Sequence, residues 1–309
     1  MPRLPIALAL AAIIAAACAS GRTTPSATPI GTPVGSLSPS GPTAEILPIL
    51  VSSEIIKGPN RFLFSLTDRQ NKLIAAPDVA VRLRFYDVDT AADTVVFETD
   101  SRFLWAIEGR QGLYVADVTF PDAGRWGTEF VATLPGGAVK TVRADYDVAE
   151  SGSTPAIGEE VPPVDTPTLA DVGGDVAQIS SDPEPEERLY ETSISDALEA
   201  GEPFVVVFST PAFCETRLCG PTLDTVKSVA SDFPDVTFIN VEPYKMALEG
   251  GRLQPELDAQ GQLQPAEATT SWGLLSEPYT FVVAGDGTVS AKFEGVLAAD
   301  ELRSAVDGL

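Results

Sequence analysis

Cys214 and Cys219 stand in the run Phe204-Val-Val-Val-Phe-Ser-Thr-Pro-Ala-Phe-Cys-Glu-Thr-Arg-Leu-Cys-Gly-Pro221. Phe204–Phe208 reads as a buried strand, and Thr222 to Phe233 reads as a helix. Two thiols at the carboxyl end of a strand, beside a helix N-terminus, suit thiol–disulfide chemistry, because the helix end stabilises thiolate and thiolate is the reactive form. The chain contains 3 cysteines and 0 histidines. Ser-His and Cys-His nucleophilic sites and histidine-based metal sites are therefore excluded.

The elements that must position this pair alternate in kind. Ser195 to Ala200 is helical and stopped by Gly201, Phe204–Phe208 is a strand, Leu223–Phe233 a helix and Val236–Val241 a strand. Phe281–Ala284 and Val289–Phe293 form a hairpin across Gly285-Asp-Gly287, and Asp300–Val306 a closing helix. Such alternation around an apolar central strand predicts an α/β domain over residues 188–309. Two residues five apart inside one helix lie about 8 to 9 Å apart at Cα, beyond the roughly 7 Å limit for a disulfide. Pro221 is tolerated in a first helical turn and breaks an interior. The helix is thus expected to begin near Cys219 or Gly220, with Cys214 in the loop before it.

Upstream the chain changes character. Met1-Pro2-Arg3 is a basic head, Leu4 to Ala17 an apolar run too short for a span of about 20 residues, and Ala15-Ala16-Ala17-Cys18 closes it. Residues 1–18 read as a signal peptide with a lipobox, in which Cys18 is lipidated; ordinary cleavage near Ala17 or Ala19 is the alternative. The expected place is the extracytoplasmic face of a membrane, where disulfides persist, and the cysteines then divide into one anchor and one pair. Residues 19–43 are a Ser/Thr/Pro/Gly tether. With 20 Lys plus Arg against 44 Asp plus Glu, a net charge of −24, the surface repels phosphate backbones, which argues against nucleic acid as a partner.

Residues 44–149 carry short runs of period two: Ile46–Val51, Phe62–Leu66, Val81–Tyr86, Thr94–Phe97, Leu113–Phe120, Phe130–Leu134 and Val139–Val148. Turn signals such as Lys57-Gly-Pro-Asn60, Pro121-Asp-Ala-Gly124 and Pro135-Gly-Gly137 separate them, and the pattern predicts an all-β sandwich. Asp122-Ala-Gly-Arg-Trp126 resembles the Asp-x-Gly-x-Tyr corner of immunoglobulin-like domains, with Trp126 in the tyrosine's place. Residues 150–187 form a Pro-rich linker, in which Leu169, Val172, Val176 and Ile179 are spaced as if buried against the next domain. No role is assigned to the sandwich beyond holding the thiol domain away from the membrane.

From Leu189 to Leu309 the order of elements, Ser276-Glu-Pro-Tyr-Thr-Phe-Val-Val283, Trp272-Gly273 and Gly295 resemble the thioredoxin-like fold. The resemblance implies that Pro278 is a cis-proline facing the cysteines. Where the family carries Cys-x-x-Cys, this chain has four intervening residues. One register sets Cys219-Gly220-Pro221-Thr222 on Cys-Gly-Pro-Cys, with Thr222 replacing a cysteine. Another is similar to the atypical peroxiredoxins through Thr210-Pro211-x-x-Cys214, but Val207 and Pro211 occupy the places of their proline and hydroxyl. The family's buried acid falls near Val207, which cannot accept a proton. Glu215 disfavours thiolate at Cys214 and Arg217 favours it.

Three functions follow as expectations. The first is a membrane-tethered thiol–disulfide oxidoreductase acting on a protein thiol or disulfide or on a redox donor. In it Cys219 attacks, Cys214 resolves, Pro278 orients the substrate and no cofactor or metal is needed. The second is a non-enzymatic binding module with a structural Cys214–Cys219 disulfide, losing about 2 to 4 kcal/mol on reduction. The third is a thiol peroxidase. A copper chaperone is disfavoured, since its histidine ligand is missing. The long connection between Val241 and Trp272, with Gly250-Gly251, is either a specificity loop or an inert insertion.

Overall fold

The computed structural model describes residues 38–39 and 45–309; the leader, Cys18 and most of the tether lie outside the described residues. The first elements are β1 (Ser38–Pro39), β2 (Leu47–Leu50), β3 (Gly58–Thr67), β4 (Ala80–Asp87), α1 (Val88–Ala91), β5 (Val95–Asp100), β6 (Arg102–Ile107), β7 (Gln111–Phe120), β8 (Gly124–Thr133) and β9 (Val139–Val148). They build two antiparallel sheets, in the orders β1-β9-β8-β4-β5 and β2-β3-β7-β6. Alternation sends Val81, Leu83 and Phe85 of β4 inward, where they share one core with Phe62 and Phe64 of β3 and Phe130 of β8. The Phe62 and Phe85 rings meet edge to face at 5.8 Å, a geometry that the ring quadrupoles favour. The sandwich-like all-β character expected for this segment is therefore present. Trp126 is buried, and its indole N–H donates to the Asp122 carbonyl at 3.0 Å, which ties the turn before β8 to the core.

The period-two reading omitted β6, and also the two-residue β1, which lies inside the expected tether and pairs with β9. In β6 Trp105 is exposed, Phe103 and Leu104 are half-buried and only Ala106 is fully inside, so no clean alternation marks it.

The remaining elements are α2 (Ile194–Ala200), β10 (Phe204–Phe208), α3 (Cys219–Ala230), β11 (Thr237–Val241), β12 (Met246–Glu249), β13 (Arg252–Pro255), α4 (Glu267–Ser271), β14 (Tyr279–Val283), β15 (Val289–Glu294) and α5 (Ala299–Asp307). Four strands form one sheet, ordered β11-β10-β14-β15, with β10 parallel to β11 and antiparallel to β14. Every residue of β10 is buried. Phe204, Val206 and Phe208 pack on one side with α2 and Trp272, while Val205 and Val207 pack on the other with α3 and α5. A strand covered on both faces has no polar side to show, hence its uninterrupted apolar run. Leu169, Val176 and Ile179 pack against the α3 side of this sheet. Ser193 caps α2 by accepting the Asp196 N–H, and Gly201 ends it at φ 67°, a conformation that glycine adopts without steric cost. The hairpin β12–β13 and helix α4 fill the long connection that the sequence left unstructured.

The sandwich and this sheet touch through a small apolar patch, Ala106 and Leu113 against Leu218 and Val296. Mostly half-buried polar groups surround it. Arg61 donates to both carboxylate oxygens of Glu301, at 2.9 and 3.0 Å, and to the Val296 carbonyl at 2.9 Å; Arg102 also bonds Glu301. Lys292 pairs with Glu54 at 2.9 Å, and Glu294 accepts from the Ser53 N–H and the Ser276 hydroxyl. Among the described residues no helix is long and apolar enough to cross a membrane.

Burial alone would raise the Glu301 carboxyl, but the hydrogen bonds and charge of Arg61, then Arg102, hold it below its ordinary value of 4.5. A depressed carboxyl contributes stability above its unfolded value, and the contribution is lost as pH falls through the folded one. Glu301→Gln is therefore expected to lower the unfolding free energy by roughly 3 kcal/mol near neutral pH, the scale for breaking a buried pair. Denaturant melts of both proteins at pH 7 and well below 4.5 check this. A gap that does not shrink in acid counts against the ion pair as its source.

Candidate thiol site

The carboxyl end of β10 runs into Ser209, Thr210 and Pro211, and α3 starts at Cys219. Pro221 lies in the first turn of that helix, which removes no intrahelical hydrogen bond. Cys214 lies in the loop before α3 and is bonded to Cys219, with their Cα atoms 5.9 Å apart, inside disulfide range. The Ser209 hydroxyl holds the Cys219 carbonyl at 3.1 Å.

The two sulfurs differ in surroundings. Cys219 is 0% exposed, whereas Cys214 is half-buried. The Cys219 N–H, first in the helix, donates to Cys214 Sγ at 3.2 Å, and the Thr216 hydroxyl lies 3.3 Å from the same sulfur. Orphan N–H groups at a helix start favour negative charge, and the first of them is aimed at Cys214 Sγ. Glu215 and Arg217, whose effects were expected to oppose each other at Cys214, both point to solvent. Arg217 has φ 65°, a left-handed conformation costly for a side chain of its size.

Glu277 completes the site. It precedes Pro278 in a cis peptide bond, as the resemblance implied, and both residues are buried. One carboxylate oxygen accepts the Glu215 N–H at 2.8 Å and the other accepts the Tyr244 hydroxyl at 2.8 Å. The Glu277 carbonyl accepts the Thr216 hydroxyl at 2.9 Å, and the Pro278 carbonyl accepts the Gly295 N–H at 2.8 Å. Burial pushes the Glu277 carboxyl up from its ordinary value, and the Tyr244 and Glu215 hydrogen bonds offset part of that. A carboxylate oxygen of Glu277 and the sulfurs of Cys214 and Cys219 all lie within 4.8 Å of one another.

Val207, where the resemblance places a buried acid, packs in the apolar cluster with α3 and α5, with Asn240 and Thr280 as its partners on the neighbouring strands. A buried acid stands instead on the residue before Pro278. Its sequence signal is Ser276-Glu-Pro278, in which the glutamate directly precedes the proline. Tyr244 comes from the long connection, which therefore reaches the site. Thr222, the register alternative to a second cysteine, is buried and its hydroxyl donates to the Gly295 carbonyl at 3.3 Å, away from the disulfide.

No protein-family model matches the chain, and no curated protein does. Among solved structures, the soluble domain of PmoD from Methylocystis sp. ATCC 49242 (Rockwell) is similar over 36% of this chain and 96% of that chain. The identity is 11% and the TM-score 0.24.

Exposure and the helix N–H both select Cys214 as the reactive thiol. After reduction, iodoacetamide at neutral pH is expected to modify Cys214 at least about tenfold faster than Cys219, as read by peptide mass spectrometry. Equal rates, or faster labelling of Cys219, contradict the assignment.

Proposed function

We propose that the chain is an extracytoplasmic thiol–disulfide oxidoreductase of the thioredoxin-like type, tethered to the membrane through Cys18. The observation that carries this reading is a half-exposed sulfur, that of Cys214, at the first N–H of α3, with its partner sulfur buried beneath it. The succession of β10, cysteine loop, α3, β11, long connection, cis-proline, hairpin and closing helix supports it. The signal peptide and tether expected from the sequence of residues 1–43 support the location.

We assign the first attack to Cys214, the opposite of the order expected from the sequence. The Cys214 thiolate attacks one sulfur of a substrate disulfide, forming a mixed disulfide and releasing the other substrate sulfur as thiolate. Cys219, once deprotonated, attacks Cys214 Sγ, re-forms the internal disulfide and releases the second substrate thiolate. The pair loses two electrons and the substrate gains them. Cys219 suits the second step because no outside reagent reaches it, while its partner sulfur lies one bond away. Pro278 would line the substrate strand, but the Thr216 hydroxyl already occupies the adjoining Glu277 carbonyl. Substrate approach thus requires the stretch between the cysteines to lift.

A second reading has its own support. Leu218, next to Cys219, packs into the patch shared with Ala106, Leu113 and Val296, so the disulfide also pins the junction with the sandwich. A purely structural bond closing so short a loop contributes about 2 kcal/mol, the low end of the loop-entropy scale.

Exchange predicts a reduction potential above about −270 mV; a structural bond predicts one below roughly −300 mV. Cys214→Ser is expected to abolish reduction of insulin, and Cys219→Ser to leave a trapped mixed disulfide at Cys214, visible on a non-reducing gel. A low potential together with no turnover would overturn exchange and leave the structural disulfide standing.

A further inference from the structure

Glu277 is only 6% exposed, and among the described residues no cation pairs with it. The charge that acts on it is that of Glu215, of its own sign. A buried carboxylate without a counter-charge is costly to keep. Beside it stand two sulfurs which, in the reduced protein, add two more acidic groups to the same place. With a formal charge of −24, the chain as a whole also attracts cations.

We propose that the reduced protein binds a thiophilic divalent cation of the zinc type through Cys214 Sγ, Cys219 Sγ and the Glu277 carboxylate. The S–S bond first opens, taking two electrons and two protons from a dithiol, or two electrons from a phosphine whose oxide takes the oxygen of a water that gives up the two protons. The cation then displaces both thiol protons and forms two metal–sulfur bonds. Ligand distances of about 2.3 Å to sulfur and 2.0 to 2.2 Å to oxygen place the atoms of such a trio roughly 3.5 to 3.8 Å apart. The three already lie within 4.8 Å, so once the S–S bond opens the sulfurs part, and any closing of the carboxylate is at most about an ångström. Each Glu277 oxygen accepts one hydrogen bond and keeps a second lone pair for the ion. Those two donors and the Cys219 N–H on Cys214 Sγ hold the ligands in place, as supporting hydrogen bonds do at metal sites.

The donor set selects the ion. Two thiolates with one carboxylate, in a chain that has no imidazole, suit borderline zinc better than soft cuprous ion or hard magnesium. The half-exposed side of Cys214 leaves a fourth position to water. Binding and exchange exclude each other, because the disulfide has no thiolate to offer.

The site rests on the same reducible pair as the exchange reading, so the test separates the two. The full chain is reduced with a phosphine, freed of excess reductant without oxygen and titrated with Co2+ as a spectroscopic stand-in. A near-ultraviolet thiolate-to-cobalt band that saturates near one equivalent, is bleached by Zn2+ and is missing from the oxidised protein is the expected result. Glu277→Gln should weaken Co2+ at least about tenfold, the loss seen even for groups that only support a ligand. X-ray absorption of the zinc-loaded unmodified protein, which needs no variant, should give two sulfurs near about 2.3 Å and oxygen near about 2.0 Å. No band, an unchanged affinity in Glu277→Gln, or a zinc shell without two sulfurs overturns the site. Insulin turnover without cobalt binding removes the site alone; cobalt binding without turnover removes exchange alone.

Discussion

The buried carboxyl of Glu277 is the constraint around which the C-terminal half of the molecule is arranged. Leaving such a group unsatisfied would cost several kcal/mol, and each hydrogen bond to a charged group returns about 1.5 to 3. Meeting that requirement takes three separate stretches of chain. Tyr244 comes from the connection after β11, the Glu215 N–H from between the cysteines, and the glutamate itself from the turn into β14. The loop joining the two cysteines is therefore held twice, by its disulfide and by the carboxylate it covers. Arg217 takes a left-handed backbone at the point where both restraints apply.

The same few residues connect the thiol site to the sandwich. Leu218 lies between Thr216, which bonds the Glu277 carbonyl, and Cys219, and its side chain is part of the patch with Ala106 and Leu113. On another side of the site, Gly273 sits so close to Ser153 that a Cβ there would meet the Ser153 carbonyl oxygen at 2.1 Å. Only glycine fits a backbone approach of that kind, and its φ of 61° reinforces the requirement. Glu294, buried at the end of β15, is held by Ser53 of the sandwich side and Ser276 of the turn before Glu277. The sandwich is thus packed against the neighbourhood of the cysteines. Leu218 is the apolar contact that joins the disulfide loop to it.

Where packing repeats at short range, the sequence was legible. Phe204–Phe208 is the observed strand residue for residue, and Val139–Val148 likewise, because alternation or continuous burial leaves a direct mark on composition. Pro221 located the start of α3, since a proline is harmless only in a first turn. The strands β6, β12 and β13 left weaker marks. β6 sits at a sheet edge with one fully buried residue, and the hairpin around Gly250-Gly251 carries few buried side chains, so neither has a strict apolar period to read.

The site divides along the same line. From the sequence alone came the cysteine pair, its place between strand and helix, and the proline that precedes β14, all features of neighbouring residues and of local backbone chemistry. Which thiol faces solvent, which carboxylate stands beside it, and that the sandwich closes on the loop were decided only by tertiary structure. Glu215 and Glu277 are 62 positions apart and Arg61 and Glu301 are 240. Exposure and pairing over such separations depend on how whole elements pack, and no local propensity or spacing records that.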